Sequence, residues 1–395
     1  MLRGEPTTKG GRSSMTTHPE FLESQSYMLP SAEPVQLIAA DGSEAPAKQH
    51  KQYKEPYQLP EMATMLEGYE RLVVGRRVND QAGALVRQGR MAVYPSSHGQ
   101  EACQVAAVMC LRRSDWLFPT YRDTVAVLGR GVAPVEAFES LRGDWHSGFN
   151  PHDYNTANPT TPLATQLLHA VGVAHSAKLR GEDTVVLALC GDGASSEGDF
   201  HEALNFAAVF HVPVVFLIQN NQYAISVPLI RQSVAPSLAH KAVGYGMPGE
   251  RVDGNDLAAL LAVLGHAVHR ARNGGGPALV EAHTYRMQAH TNADDSTRYR
   301  SDAEVAQWVP KDPLLRVEKY LHDAGALAAA DRERIAVAAE AMAKTLRDGL
   351  NAETSVDPLD LFRYVYSEPT PQLREQSTLL AAELAASSAT MGASR

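Results

Sequence analysis

The sequence predicts an α/β fold in which a parallel sheet is flanked by helices. Residues 184–190 and 213–219 are short, apolar, β-branched runs that read as buried strands. Between them Phe200, Ala203, Leu204, Ala207 and Phe210 recur at helical spacing, so residues 197–210 read as an amphipathic helix. A strand–turn–helix–strand unit of this kind is parallel and right-handed, which puts both strand ends at the carboxyl edge of one sheet.

Taken in order, residues 1–55 are rich in Ser, Pro, Gln and Lys and are expected to form a flexible arm. Within the arm, residues 35–40 have the composition to add a short strand or pack on a partner. An amphipathic helix is expected over 60–89, where Met65, Leu66, Tyr69, Leu72, Val73 and Arg76 stay in register. Residues 99–111 and 163–179 read as the next two long helices, and the small Ala170, Gly172 and Ala174 favour close packing of the latter. A helix over 257–272, a glycine turn at 273–276 and a strand over 277–285 follow. Beyond Pro313 the pattern is mostly helical to about residue 383. Three parts result: an arm over 1–55, an α/β domain over 56–325 and a C-terminal helical extension over 326–395.

Composition narrows the functional classes. A formal charge of −9 over 395 residues argues against nucleic acid or an anionic membrane as the main partner. Cys103, Cys110 and Cys190 have no metal-type spacing and sit in apolar contexts, so they are expected to be buried thiols. With no membrane-length apolar run and no signal-peptide core, a soluble cytoplasmic protein is expected. Neither a P-loop nor a dinucleotide-binding glycine fingerprint is present.

The chemistry concentrates at the two strand ends. Gly191-Asp192-Gly193 closes the first strand, and its glycines permit a tight turn and close approach to a ligand. Asn220-Asn221 closes the second. An Asp carboxylate, an Asn amide oxygen and one backbone carbonyl, that of Tyr223, are hard oxygen donors suited to Mg²⁺, which takes its other positions from water and phosphate. Gly193 and Ala194, at the start of a helix, offer backbone amides to an anion.

This arrangement resembles the thiamine diphosphate fingerprint of transketolase and the 2-oxo acid dehydrogenases. Six collinear motifs are similar to the α subunit of a 2-oxo acid dehydrogenase E1 component. They are Tyr121-Arg122-Asp123, Pro162-Leu163-Ala164-Thr165-Gln166, Gly191 to Asp199, Gln219 to Ser226, Arg251 to Asp256, and Thr284 to Ser301. The resemblance spans about residues 60–325 and implies a thiamine diphosphate-binding fold that anchors the diphosphate, with helical N- and C-terminal extensions. It further implies Asp192, Asn221 and Tyr223 as Mg²⁺ ligands, with Asp192 standing where the animal branched-chain enzymes have Glu. Tyr121, Arg122, Thr161, Leu163, Gly193, Ala194, Ile225 and His290 join them in binding the cofactor, and His290 takes the catalytic position near the substrate and the incoming lipoyl group. Thr160, Pro162, Thr165 and Gln166 resemble a potassium site, although helix capping accounts equally well for Thr160 or Thr161. Arg286, Asp295, Tyr299 and Arg300 are assigned to holding the His290 loop in shape.

Thiamine diphosphate implies decarboxylation of a 2-oxo acid and acyl transfer to a lipoylated E2 core. That makes the chain part of an oxidoreductase acting on an oxo group with a disulfide acceptor. The glutamic acid that activates the cofactor is expected on an E1 β subunit, giving an α2β2 heterotetramer. Residues 33–42, 162–166 and 223–226 look closest to branched-chain members, so 3-methyl-2-oxobutanoate is the expected substrate. Pyruvate is the alternative substrate, and a non-catalytic module binding a phosphate ligand is the alternative of a different class.

Overall fold

Apolar runs pair as parallel strands where helices cover both faces of the resulting sheet. The computed structural model describes residues 28–46, 56–143, 148–352 and 357–392. In it β1 (Trp116–Phe118), β2 (Val186–Gly191), β3 (Val214–Asn220), β4 (Gly249–Asp253) and β5 (Ala278–His283) form a five-stranded sheet, ordered β1-β2-β3-β5-β4. Every pairing in it is parallel. The helices include α1 (Met62–Arg87), α2 (Glu101–Met109), α3 (Thr165–Arg180), α4 (Gly198–Phe210), α5 (Leu257–Arg270), α6 (Pro313–Asp323), α7 (Ala329–Asn351) and α8 (Pro371–Gly392).

The period-two alternation of the strands separates two cores. Leu187, Leu189, Val215 and Leu217 face a cluster built on α1, α2 and α5. Val186, Ala188, Phe216 and Ile218 face Leu167 and Ala170 of α3 and Phe200 and Leu204 of α4. Fully burying a side chain such as Phe200 or Leu204 contributes about 1.5–3 kcal/mol, so the amphipathic spacing decides which way α4 faces. Cys103 and Cys190 are buried and Cys110 is half-buried, all as free thiols. No helix among the described residues is long and apolar enough to cross a membrane.

Two strands of this sheet are not evident in the sequence. β1 has three residues, and β4 carries Glu250, Arg251 and Asp253. Polar residues are tolerated in β4 because distant partners satisfy them. Arg316 Nη1 donates to Asp253 Oδ2 at 2.8 Å, and Ser31 N donates to Glu250 Oε1 at 3.0 Å.

Part of the expected flexible arm is fixed to this edge. Val35 bridges Val252 in parallel, with Val35 N donating to Arg251 O at 2.8 Å and Asp253 N donating to Val35 O at 2.9 Å. Asp256 accepts from Leu37 N at 2.7 Å and Ile38 N at 2.8 Å, and also caps α5 through Ala259 N. Burial pushes the Asp256 carboxyl up to about 6. These anchors are backbone amides meeting carboxylates more than two hundred positions away, so no local periodicity reveals them. Residues 1–27 and 47–55 of the arm lie outside the described residues. At the other edge, Leu117 bridges Thr156 and Thr120 bridges Thr160.

The chain divides into two compact units, 1–350 and 351–395. The first reaches further than the expected boundary at 325, because Ile335 of α7 is part of the α1–α2–α5 core, and Leu346 and Leu350 fill a third cluster. The second unit consists of a 3₁₀ turn, Pro358–Phe362, and α8.

Gly99 fixes how the end of β5 meets the start of α2. Its φ is +99°, and a Cβ there would lie 2.1 Å from the Tyr285 carbonyl oxygen. The Gly99→Ala variant is therefore expected to lose roughly 2–4 kcal/mol from overpacking and backbone strain, read as a lower midpoint in chemical denaturation.

Candidate active site

Parallel register brings the ends of β2, β3 and β5 to one edge: Gly191 pairs with Gln219, and Asn220 with His283. After β2 the chain turns through a 3₁₀ segment, Asp192–Ser196, before α4 begins. Gly193 lies against the loop that follows β3, where an added Cβ would sit 2.8 Å from Ala224 Cβ. That contact brings Asp192 close to residues 223–225.

Asp192 is 1% exposed, and its Oδ2 accepts from Gln232 Nε2 at 2.9 Å. Burial raises its carboxyl above the usual range, against the opposing pull of Gln232 and Arg286. Asn221 Oδ1 accepts from Tyr223 N at 3.2 Å, and its Nδ2 donates to Gln100 Oε1 at 2.9 Å. The Tyr223 carbonyl accepts from Arg286 Nη1 at 3.2 Å. A buried carboxylate whose direct side-chain partner is a neutral amide, beside two neutral oxygens, is a donor set that fits a hard divalent cation. Among the described residues no group of three or more His, Cys, Asp and Glu is placed to hold a metal. A cation here would have to draw its remaining ligands from water or phosphate, as Mg²⁺ does.

The loop after β5 carries His290. Arg286, fully buried, donates to Tyr223 O, to Ile225 O at 2.7 Å and to Tyr299 Oη at 2.9 Å, so one guanidinium joins two loops. Arg300 donates to the carbonyls of Arg286 and Met287. Asp294 accepts from His290 N at 2.7 Å, whereas Asp295 caps its own turn through Thr297. Arg122 Nη2 donates to His290 Nδ1 at 3.0 Å and to His290 O, while Nη1 donates to Ser96 O. An arginine has no acceptor, so Nδ1 must be unprotonated and the imidazole proton sits on Nε2. Burial, then Arg122 and Arg286, pushes His290 down to about 4, leaving it neutral at pH 7. The rings of Tyr121 and His290 meet edge to face, with centroids 6.0 Å apart.

The loop before α3 closes the site from a third side. The helix starts at Thr165, two residues later than its pattern implies, because Ala164 is held in the left-handed region at φ +66°. Thr160, Thr161 and Pro162 thus precede the helix. Thr160 Oγ1 donates to Gln166 Oε1 at 3.2 Å, and Gln166 Nε2 donates to Leu189 O at 2.8 Å. These bonds hold the turn that the sequence linked to potassium. Ile225 is another left-handed residue at the site, with φ +54°.

Tyr121, Arg122, Thr161, Leu163, Asp192, Gly193, Ala194, Asn221, Tyr223, Ile225 and His290 all line one cavity of about 400 Å³. Its wall also contains Val93, Pro95, Gln100 and Leu141, which the sequence did not single out, and Gln219, which opens the motif running to Ser226 but was assigned no role. Gln100 lies 121 positions from its partner Asn221 and reads as an ordinary helix start. Gln232, which touches Asp192, sits 40 positions beyond it in an irregular loop. No local signal marks either residue.

A model of the dehydrogenase E1 component family matches residues 70–348. The 3-methyl-2-oxobutanoate dehydrogenase subunit alpha of Mycobacterium tuberculosis is 48% identical over 353 residues, covering 89% of this chain and 95% of that protein. The pyruvate dehydrogenase E1 component subunit alpha of Staphylococcus aureus is 42% identical over 262 residues, covering 66% of this chain and 71% of that protein.

The low His290 value has a testable sign. Its folded value, about 4, lies below the ordinary 6.5, so the unfolded chain takes up the proton first as pH falls. Stability is therefore lost from pH 6.5 down to about 4 through this group. In a His290→Asn variant, thermal unfolding should show a shallower decline across that window than the unsubstituted chain.

Proposed function

Because the chain belongs to the dehydrogenase E1 component family, we propose that it is the α subunit of a branched-chain 2-oxo acid dehydrogenase E1 component. In this reading it takes part in the oxidative decarboxylation of 3-methyl-2-oxobutanoate and transfer of the acyl group to a lipoylated E2 core. Coverage carries the choice of substrate. The 3-methyl-2-oxobutanoate dehydrogenase relative aligns over 89% of this chain, against 66% for the pyruvate dehydrogenase relative.

Thiamine diphosphate, when bound, supplies the nucleophilic carbon and the electron sink for cleaving the C1–C2 bond of the 2-oxo acid. The chain's residues divide the remaining tasks. Asp192, Asn221 and the Tyr223 carbonyl would hold Mg²⁺, whose charge would offset the cost of burying the Asp192 carboxylate. The amides of Gly193 and Ala194, in the 3₁₀ turn before α4, would donate to the phosphate oxygens. Tyr121 and Arg122 line the diphosphate end, and Arg122 also fixes the tautomer of His290. His290 would offer its Nε2 proton to an oxygen of the substrate or of the acyl group, and Arg122 holds the ring in place by engaging both Nδ1 and the backbone carbonyl. Leu163 and Ile225, with Val93 and the Thr161 methyl, give the cavity an apolar side that is exposed in this chain and would face the reacting carbon.

The chain contributes one α/β sheet with the diphosphate half of the site. The activating glutamic acid comes from an E1 β subunit, and the working assembly is α2β2. Purified alone, the chain is expected to be inactive; full decarboxylase activity without a partner would refute this.

Calorimetry on the co-expressed pair tests the metal assignment. Thiamine diphosphate binding should require Mg²⁺, and Asp192→Ala should weaken it by at least the roughly 10–100-fold that loss of an outer-shell partner costs. Unchanged binding in that variant sinks the assignment. Steady-state rates decide the substrate: kcat/KM for 3-methyl-2-oxobutanoate should exceed that for pyruvate by about tenfold or more, the effect of ~1.4 kcal/mol in transition-state binding. A preference for pyruvate overturns the substrate, and no turnover of either 2-oxo acid overturns the enzyme.

A further inference from the structure

We infer that Asp123, Gln219 and Gln100 form a directional hydrogen-bond relay that positions the side-chain oxygen of Asn221 for the cation. The inference rests on the reading of Asn221 as a metal ligand. Its basis is one continuous chain of buried polar groups. Gln219 Nε2 donates to Asp123 Oδ1 at 2.7 Å, Gln100 Nε2 donates to Gln219 Oε1 at 3.2 Å, and Asn221 Nδ2 donates to Gln100 Oε1 at 2.9 Å. All four side chains are buried, with Asp123 at 0% exposure and Asn221 at 6%.

A side-chain amide has an oxygen on one side and an NH₂ on the other, and in isolation either orientation is allowed. A carboxylate removes that freedom because it only accepts. Asp123 Oδ2 is already occupied by Thr120 N at 2.7 Å, so Oδ1 remains for Gln219, which must turn its NH₂ towards it. The Gln219 oxygen then faces Gln100, which must donate in turn, and the Gln100 oxygen faces Asn221. Flipping any one amide sets acceptor against acceptor or donor against donor in a buried site, and groups left unsatisfied there cost more than a typical hydrogen bond contributes. The last link turns the Asn221 NH₂ towards Gln100 and leaves its oxygen for Tyr223 N and the site. A cation requires that oxygen; an inverted Asn221 would present N–H donors to it. The charge of one carboxylate in the turn after β1 thereby joins Tyr223 N in setting the orientation of a ligand at the end of β3. Asp123, Gln219 and Gln100 are positioning residues, acting through Asn221.

The test exploits direction rather than shape. In Asp123→Asn the Thr120 N–H still requires an oxygen, so the new NH₂ faces Gln219 and drives the relay to invert. At its far end Asn221 either turns its NH₂ towards the cation and against Tyr223 N, or keeps its oxygen there with its NH₂ against that of Gln100, and either way the oxygen is held less firmly for the cation. Adding Gln219→Glu restores the direction. The carboxylate introduced at position 219 accepts both from the amide introduced at position 123 and from Gln100, and Asn221 returns to its original orientation. The readout is Mn²⁺ affinity, followed by electron paramagnetic resonance, of the full-length chain co-purified with its β-type partner in the presence of thiamine diphosphate. The single variant D123N is expected to weaken Mn²⁺ binding by about 10–100-fold, and the double variant D123N/Q219E to recover to within about threefold, the context scatter of one such hydrogen bond. Unchanged affinity in the single variant overturns the relay, as does a double variant no better than the single. If the single variant does not fold, a double variant that folds and binds supports the relay, and one that does not fold overturns it. Failure of the unsubstituted protein to bind Mn²⁺ would overturn the metal reading and the relay with it, whereas the variant outcomes bear on the relay alone.

Discussion

Parallel pairing of β2 with β3 and of β3 with β5 is the constraint on which the site depends. In a parallel ladder every strand ends at the same edge, so three loops far apart in sequence emerge side by side. Register then sets the detail: Gly191 opposite Gln219 and Asn220 opposite His283 put Asp192, Asn221 and the His290 loop on one rim. A slip of one residue in β3 would turn Phe216 and Ile218 into the other core and displace Asn221 from the rim. Core packing and ligand placement are thus one requirement. The apolar alternation that buries β3 also fixes where its polar tail emerges.

Charge at this rim is distributed unequally. Asp192 is buried against a neutral amide and held above its ordinary protonation range. Arg286 is buried among carbonyls and a tyrosine hydroxyl, where burial lowers its pKa. His290 is kept neutral by burial and two arginines. Each arrangement raises the energy of the isolated protein and is suited to a ligand carrying both a divalent cation and phosphate oxygens. Backbone strain adds to it, since Ala164, Gln222 and Ile225 all sit at positive φ around the cavity. Such features persist because the two cores beneath them are closely packed and hold the loops in place.

Much of this was legible in the sequence, for a physical reason. Strands and helices that bury a whole face carry their period with them, so α4, α5, β2, β3 and β5 could be placed within a few residues. Ligands at strand ends were readable because the fold class fixes which end is open. What stayed hidden was held by contacts without a local pattern. β4 is a polar pentapeptide made into a strand by β5 and Val35. Residues 28–46 have the composition of a tail, yet Asp256 and Glu250 secure them through backbone amides. Gln100 and Gln219 meet through a 119-residue separation, and two glutamines that far apart carry no mark of their pairing.

The bridges at the margins of the sheet have a consequence for the life of the protein in a crowded solution. An open strand edge is a template for any extended segment nearby and a starting point for fibrous aggregates. Here Val35 occupies the outward groups at Arg251 and Asp253, and the Asn155–Ala157 segment occupies both backbone groups of Leu117. Among the described residues, neither edge of the five-stranded sheet is thus left bare for another chain. Association is therefore left to side-chain surfaces, where shape and charge discriminate between partners far better than a bare backbone does.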